Sequence, residues 1–162
     1  MAKTAFKGAT VSTVGELPKV GEKAPDFKLV TSELTEISLK DFAGKRIVLN
    51  IFPSIDTGVC AISVLKFNAW ASNQKNTVVL CVSKDLPFAA GRFSAAEGFK
   101  NVITASDFRY NTFGNDYGML MIDGALQGLL ARSVVAINES GKVVYTELVP
   151  EITTEPNYEV KF

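Results

Sequence analysis

The side chain best suited to chemistry in this sequence is a thiol, Cys60, which ends the stretch FPSIDTGVC. The chain has 2 cysteines and no histidine. Because histidine is missing, Cys–His and Ser–His nucleophile pairs, HExxH zinc sites and histidine acid–base chemistry are all excluded. Two cysteines alone do not complete an ordinary structural zinc site. Catalysis by this chain would therefore use a thiol, carboxylates, hydroxyls, lysine, arginine or tyrosine.

A cysteine reacts as its thiolate, and the sequence around Cys60 favours that form. At an ordinary pKa of about 8.5, only roughly 3% of a cysteine is ionised at pH 7. The pattern predicts that Cys60 lies in or near the first turn of a helix, where unpaired N–H groups and the macrodipole favour negative charge. Thr57 can donate its hydroxyl to the sulfur or to a bound oxygen, and Pro53 can shield the sulfur from water. This arrangement suits attack on an electrophile with a small polar oxygen, such as a peroxide.

Each of these residues also has a plain structural interpretation. A lone cysteine is usually a small buried hydrophobe, and Cys81, inside the apolar run VVLCV, is assigned to packing. Thr57 fits a helix cap equally well. An arginine beside the sulfur would stabilise its charge, because a guanidinium does not lose its proton. The arginines that spacing leaves open for this place are Arg46, Arg92, Arg109 and Arg132.

Cys60 is positioned by a strand that precedes it and a helix that contains it. Residues 47–52, IVLNIF, are apolar almost throughout, which is typical of a strand covered on both faces. Pro53 ends this strand because proline cannot donate to the ladder. Apolar residues then recur at helical spacing, and they are Cys60, Val64, Phe67 and Ala71.

The other segments extend this unit into an alternation of strands and helices. Further strands are predicted at 26–30, 31–39, 77–82 and 101–105, with a turn at 41–46 and a helix from Pro87 to Glu97. Hairpins are predicted around residues 8–10 and over 133–138 with 142–149. The alternation predicts right-handed crossovers and a parallel sheet, which the last hairpin makes mixed. The apolar segment 119–130 is assigned to the core by default, with an interface or a substrate wall as alternatives.

The totals indicate one compact domain over residues 1–162, with 47% hydrophobic residues available for a core. The 17 basic and 17 acidic side chains balance, so a nucleic-acid partner is not expected. No apolar run is long enough to cross a bilayer, and a membrane partner is not expected either. The first residues lack the apolar core of a secretory signal. Unpaired cysteines suit a cytoplasmic location, although a mature periplasmic form would look the same.

Four stretches of the sequence resemble the bacterial thiol peroxidases, the atypical two-cysteine branch of the peroxiredoxins. They are NIFPSIDTGVC (50–60), VSKDLPFAAGRF (82–93), LARSVVAIN (130–138) and PEITTEPNYE (150–159). The first contains the family pattern Pro-xxx-Thr-xx-Cys as Pro53, Thr57 and Cys60. The resemblance covers almost the whole length of the chain.

The resemblance implies an α/β, thioredoxin-like three-layer fold with a mixed central sheet and an added N-terminal β-hairpin. It makes Cys60 the cysteine that attacks the peroxide, with Thr57 orienting the substrate, Pro53 shielding the site and Arg132 beside the sulfur. Implied substrates are hydrogen peroxide and alkyl hydroperoxides, and the implied reductant is thioredoxin. A homodimer is implied, and no metal or other cofactor is expected.

One position departs from the family pattern. The resemblance places a resolving cysteine in the helix after the second central strand, where this chain has Ser94. A serine cannot condense with a sulfenic acid to form a disulfide. We interpret Ser94 as an engineered Cys-to-Ser change in preference to a natural form that relies on an external thiol. In both cases we expect oxidation of Cys60 to proceed and recycling by thioredoxin to be impaired.

Two other functions fit the same sequence. A peroxide sensor would keep a reactive Cys60 but pass its oxidation to a partner protein, and would show little turnover with small thiols. A non-catalytic thioredoxin-like module would contain an inert Cys60, which would alkylate slowly at pH 6. A dithiol oxidoreductase is disfavoured because the chain has no Cys-x-x-Cys pair.

Overall fold

The computed structural model describes Met1–Phe162 as a seven-stranded mixed sheet beside a two-stranded hairpin. The strands are β1 (Lys3–Phe6), β2 (Ala9–Ser12), β3 (Lys28–Thr31), β4 (Glu36–Ser38), β5 (Arg46–Ile51), β6 (Thr77–Ser83), β7 (Val102–Ser106), β8 (Ser133–Ile137) and β9 (Val143–Leu148). The helices are α1 (Gly58–Ala71), α2 (Pro87–Glu97) and the short α3 (Phe113–Asp116). The order across the large sheet is β4-β3-β7-β6-β5-β8-β9.

The centre of the sheet confirms the predicted mixture of strand directions. β5, β6 and β7 run parallel, while β8 pairs with β5 in the antiparallel direction. From Ile47 to Ile51 every residue of β5 is buried. This explains why its sequence is apolar almost throughout, since a strand covered on both faces has no solvent-facing positions. None of the helices is long and apolar enough to span a membrane.

Alternate residues of the central strands point to opposite faces and build two clusters of buried side chains. One cluster joins Val48, Val79 and Val134 of the sheet to Cys60, Val64 and Phe67 of α1. The other joins Leu49, Leu80 and Val135 to Phe113, Tyr117 and Met119. α1 is therefore held against one face of the sheet by its apolar stripe. The segment 119–130 contributes buried side chains to the opposite face, as its default assignment to the core predicted.

The limits of α2 agree with the predicted helix. Pro87 occupies the first turn, where the missing N–H of proline costs nothing. Gly98 ends the helix in a left-handed conformation, with φ at 67°, and its N–H donates to the Ser94 carbonyl at 2.8 Å.

Two predicted elements differ in extent. The strand predicted over 31–39 is wrong for most of its length, because Leu34 has φ at 65° and turns the chain, which leaves only β4. The residues after β4 form a 3-10 turn, Leu39–Phe42. The first hairpin turns at Lys7 and Gly8, both with positive φ, and not around residues 8–10.

Candidate active site

The end of β5 and the start of α1 determine where Cys60 lies. β5 ends at Ile51, and the buried Pro53 begins a short connecting loop that reaches α1 at Gly58. Cys60 is therefore in the first helical turn, as predicted. Its side chain is 0% exposed and faces the sheet within the cluster that holds Val64 and Phe67.

Arg132 lies against this sulfur. Its Nη2 donates to Cys60 Sγ at 3.2 Å, and its Nε donates to the Ile152 carbonyl at 2.7 Å. The residue is only 1% exposed, yet its Nη1 has no hydrogen-bond partner. No carboxylate forms an ion pair with it. A buried guanidinium needs polar partners, and the Cys60 sulfur and the Ile152 carbonyl are the two that the structure supplies.

The structure distinguishes Arg132 from the other arginines that spacing left open. Arg46 pairs with Glu139 at 3.0 Å and Arg92 pairs with Asp56 at 3.1 Å, both on the surface. Neither of these two arginines nor the exposed Arg109 donates to Cys60. Arg132 is the arginine that the fold brings to the sulfur.

Thr57 stands at the N-terminal cap position of α1, but its hydroxyl does not cap the helix. It donates to the Ser54 carbonyl at 2.9 Å, and no hydrogen bond joins it to Sγ of Cys60. The interpretation of its side chain as a helix cap is therefore wrong. The residue instead lines a cavity.

This cavity, of about 290 Å³, adjoins the sulfur-bearing turn. Pro53, Thr57 and Arg132 all line it, and Phe6 and Ile152 supply apolar wall. A larger cleft of about 540 Å³ lies elsewhere, around Ala24, Phe42 and Asn138, and contains none of the predicted site residues. The smaller cavity is the candidate site, because Pro53, Thr57 and Arg132 line it and Arg132 is hydrogen-bonded to the Cys60 sulfur.

Cys81 lies on β6 in a different setting. Its thiol is 1% exposed, and burial raises its pKa from 9.0 to about 12, against a smaller opposing effect of the Asn50 amide. The Asn50 Nδ2 donates to the Cys81 sulfur at 3.7 Å and to the Ser63 hydroxyl at 3.2 Å. Both cysteines are free thiols. Cys81 is therefore protonated at neutral pH, in agreement with its assignment to packing.

Asp85 was missed as a site residue although it belongs to the quoted stretch 82–93. Its carboxylate accepts hydrogen bonds from the Ser54 hydroxyl at 2.8 Å, the Ile55 N–H at 2.7 Å and the Ser83 hydroxyl at 2.7 Å. It thereby ties the loop before α1 to the end of β6. The sequence signal for these hydrogen bonds was weak, namely that Ser54, Ser83 and Asp85 all lie at or just after the ends of β5 and β6.

Ser94 lies in the middle of α2 and is half-buried. It lines a shallow surface pocket with Phe99 and Thr104, apart from the cavity beside Cys60. The chain brings together no group of three or more cysteine, aspartate or glutamate side chains that could hold a metal ion.

Comparison with known proteins connects this geometry to a family. The Redoxin family model matches residues 19–161. A thiol peroxidase of Corynebacterium glutamicum is 58% identical over 98% of this chain and 96% of its own length. A thiol peroxidase of Mycobacterium tuberculosis is 55% identical over 98% of this chain and 95% of its own length.

Solved structures of related proteins have the same fold as this chain. A peroxiredoxin-like protein from Aquifex aeolicus superimposes with a TM-score of 0.93 at 43% identity, covering 98% of this chain and 92% of that one. The thiol peroxidase from Chromobacterium violaceum has a TM-score of 0.87 at 17% identity, with coverage of 97% and 91%, which concerns the fold alone. The predicted thioredoxin-like peroxiredoxin fold is confirmed.

Proposed function

This chain belongs to the bacterial thiol peroxidase family, and on that premise we propose that it reduces peroxides through the sulfur atom of Cys60. It is a peroxiredoxin-type oxidoreductase. The observation that carries the assignment to Cys60 is the 3.2 Å hydrogen bond from Arg132 to its sulfur in a site with no competing carboxylate. A guanidinium and the leading amides of α1 both favour the thiolate.

The chemical step moves two electrons from sulfur to the peroxide. The Cys60 thiolate attacks one peroxide oxygen, an S–O bond forms and the O–O bond breaks. Sulfur becomes sulfenic acid, and the departing oxygen takes a proton and leaves as water or an alcohol. The unpartnered Nη1 of Arg132 is the donor available to the peroxide oxygens. The hydroxyl of Thr57, whose hydrogen goes to the Ser54 carbonyl, can accept a hydrogen bond from the peroxide O–H. Pro53 narrows the entrance and limits water at the sulfur.

The substrates we propose are hydrogen peroxide and alkyl hydroperoxides. The cavity combines the polar groups of Thr57 and Arg132 with the apolar side chains of Phe6, Leu126 and Ile152. Such a wall accommodates an alkyl group, since burial of apolar surface favours binding. The reductant we propose is thioredoxin.

Recycling is impaired by Ser94. A sulfenic acid at Cys60 needs a second thiol, and Cys81 does not supply one because its pKa of about 12 keeps it protonated. We propose that Ser94 replaces the resolving cysteine, as an engineered substitution. Under excess peroxide, Cys60 then proceeds to the sulfinic acid.

Two measurements test this function. Mass spectrometry after one equivalent of peroxide, with a sulfenic-acid trap, should show a single adduct on Cys60 and none in Cys60→Ser. The variant Ser94→Cys should instead form a disulfide between Cys60 and the introduced thiol and gain thioredoxin-linked turnover. A Cys60–Cys81 disulfide as the main product would contradict the proposal. Rapid oxidation of Cys60 with no turnover by any thiol would favour a peroxide sensor.

We also propose a homodimer in the cytoplasm, with no nucleic-acid or membrane partner. Support for the dimer comes from two large exposed apolar side chains, Phe88 in the first turn of α2 (68% exposed) and Phe108 after β7 (63% exposed). The segments before these two residues are joined by the Ser106 hydroxyl, which donates to the Asp85 carbonyl at 2.5 Å. Two unpaired cysteines suit a reducing compartment. Sedimentation velocity of the pure protein tests the assembly, and fractionation tests the location.

A further inference from the structure

We propose that Glu151 is a positioning residue, which holds the β1–β2 hairpin against the segment that fixes Arg132 and thereby sets both the charge at Cys60 and the wall of the peroxide cavity. The inference rests on the function proposed above. It concerns a carboxylate that lies outside the cavity and makes no ion pair.

The Glu151 carboxylate accepts four hydrogen bonds. Two come from the hairpin turn, the Gly8 N–H at 2.8 Å and the Lys7 N–H at 3.2 Å. Two come from Thr153, its N–H at 2.9 Å and its hydroxyl at 2.8 Å. Lys7 and Gly8 both have positive φ, so successive amides of the turn converge on one anion, as in a backbone nest.

These bonds favour the ionised carboxyl. The N–H groups of Thr153 and Gly8 lower the pKa of Glu151 to about 2. The side chain is therefore an anion at every pH at which the enzyme would work. The Glu151 carboxylate therefore serves as a permanent hydrogen-bond acceptor and does not change its protonation state in that range.

The residue that follows Glu151 connects this anchor to the reactive site. The Ile152 N–H donates to the Ala5 carbonyl of β1 at 2.8 Å. The Ile152 carbonyl accepts the Nε hydrogen of Arg132 at 2.7 Å, and Arg132 donates onward to Cys60. One residue, Ile152, thus links the hairpin to the guanidinium, and the neighbouring carboxylate of Glu151 holds the hairpin in place.

The same anchor shapes the cavity. Phe6 and Lys7 come from the hairpin, and Ile152 and Thr153 come from the segment that Glu151 binds. All four line the cavity. Each is itself hydrogen-bonded to the Glu151 carboxylate or lies within two residues of a group that is. Release of the hairpin would widen the cavity and free Arg132 to rotate.

The substitution Glu151→Gln tests this, because it keeps the shape of the side chain but turns one acceptor oxygen into a donor that faces other donors. Asp123→Asn is the matched control. Asp123 accepts the Ser12 N–H of the same hairpin at 2.8 Å, but has no connection to Ile152 or Arg132. Both variants remove a carboxylate charge beside the hairpin, but Asp123→Asn keeps an oxygen that can accept the single Ser12 N–H, whereas both oxygens of Glu151 accept hydrogen bonds. Only the first variant disturbs the guanidinium.

The readout is the alkylation rate of Cys60 by iodoacetamide at pH 6 divided by its rate at pH 9.5. Greater access to the sulfur raises both rates equally, whereas a smaller thiolate fraction lowers the ratio. We expect Glu151→Gln to lower the ratio about fivefold or more and to slow oxidation by cumene hydroperoxide about tenfold. Asp123→Asn should change each by less than twofold.

Equal ratios in Glu151→Gln and Asp123→Asn would overturn the inference. Glu151→Asp, which keeps the anion on a shorter side chain, should restore part of the ratio, and it replaces the glutamine variant if that one does not fold. Failure of the unmodified protein to oxidise at Cys60 would contradict the proposed function itself. The two failures are therefore distinguishable.

Discussion

Arg132 and Cys60 are 72 residues apart in sequence and meet through the register of two strands, with Nη2 at 3.2 Å from Sγ. β5 and β8 pair antiparallel, and Ile51 at the end of β5 lies opposite Ser133 at the start of β8. The residue before Ser133 is therefore placed beside the loop that leads from β5 into α1. The sheet, and no local motif, brings the cation to the thiol.

Replacing Arg132 with methionine should slow the reaction of Cys60 with hydrogen peroxide by about 10- to 100-fold. A hydrogen bond to a charged group contributes about 1.5–3 kcal/mol, and each 1.36 kcal/mol changes a rate about tenfold. Methionine fills similar space, so the loss reflects the missing charge and donors. Stopped-flow measurement of the first oxidation step, under single-turnover conditions, gives the rate.

Arg132→Lys is the informative companion. Lysine retains the positive charge but has no fork that can bond Sγ and the Ile152 carbonyl together. We expect it to recover part of the alkylation rate at pH 6 and little of the peroxide rate. If the methionine variant oxidises as fast as the unmodified protein, the guanidinium does not activate the sulfur.

Cys81 should affect stability at alkaline pH and leave the chemistry unchanged. Its folded-state pKa of about 12 lies well above the ordinary range of a cysteine because burial disfavours the charged thiolate. Below about pH 9 the thiol is protonated in both states and has no pH-dependent effect. Between pH 9 and 12 the unfolded chain releases this proton and the folded chain keeps it. The free energy of unfolding should therefore fall in that window, by up to about 1.4 kcal/mol per pH unit.

Cys81→Ala isolates this contribution, since other groups also titrate above pH 9. Urea unfolding at pH 8 and pH 10.5 should show a smaller loss of stability with pH in the variant than in the unmodified protein. Its peroxide rate at pH 7 should change by less than twofold. A large loss of peroxidase activity in Cys81→Ala would give Cys81 a role in the reaction.

Local sequence patterns were sufficient to predict the elements around the cysteine. The apolar run of β5, the proline after it and the apolar stripe of α1 each reflect short-range constraints, namely burial on both faces, a missing N–H and helical spacing. The limits of α2 follow from Pro87 and Gly98 in the same way. The strand predicted over 31–39 was too long because Leu34 has a positive φ. A leucine side chain gives no indication of that backbone conformation.

Local sequence patterns could not predict which side chains contact one another around Cys60. Four arginines had equal claims by spacing, and the choice of Arg132 required the strand register or the family resemblance. The hydroxyl of Thr57 bonds to Ser54 and not to the helix amides, which depends on how the loop folds. Asp85 and Glu151 act through backbone N–H groups of distant segments. Such contacts have no sequence spacing to reveal them.

The contacts of Asp85 with the loop before α1 give the last prediction. Ser54→Ala removes the hydroxyl that joins this loop to the carboxylate, and Ser83→Ala removes a hydroxyl on the strand side of the same carboxylate. The Ser54 carbonyl also holds the hydroxyl of Thr57. We expect Ser54→Ala to slow peroxide oxidation of Cys60 about threefold to tenfold, and Ser83→Ala to have less than a twofold effect.

The same pair should differ in the opposite sense toward a bulky thiol reagent. Cys60 is 0% exposed, so such a reagent reaches the sulfur only when the loop and the first turn of α1 open. Ser54→Ala weakens the closed loop, and its reaction with a bulky aromatic disulfide should become faster while its reaction with hydrogen peroxide becomes slower. A general loss of stability would affect both serine variants alike. If the two reagents change in the same direction in Ser54→Ala, Asp85 stabilises the fold without ordering the loop for catalysis.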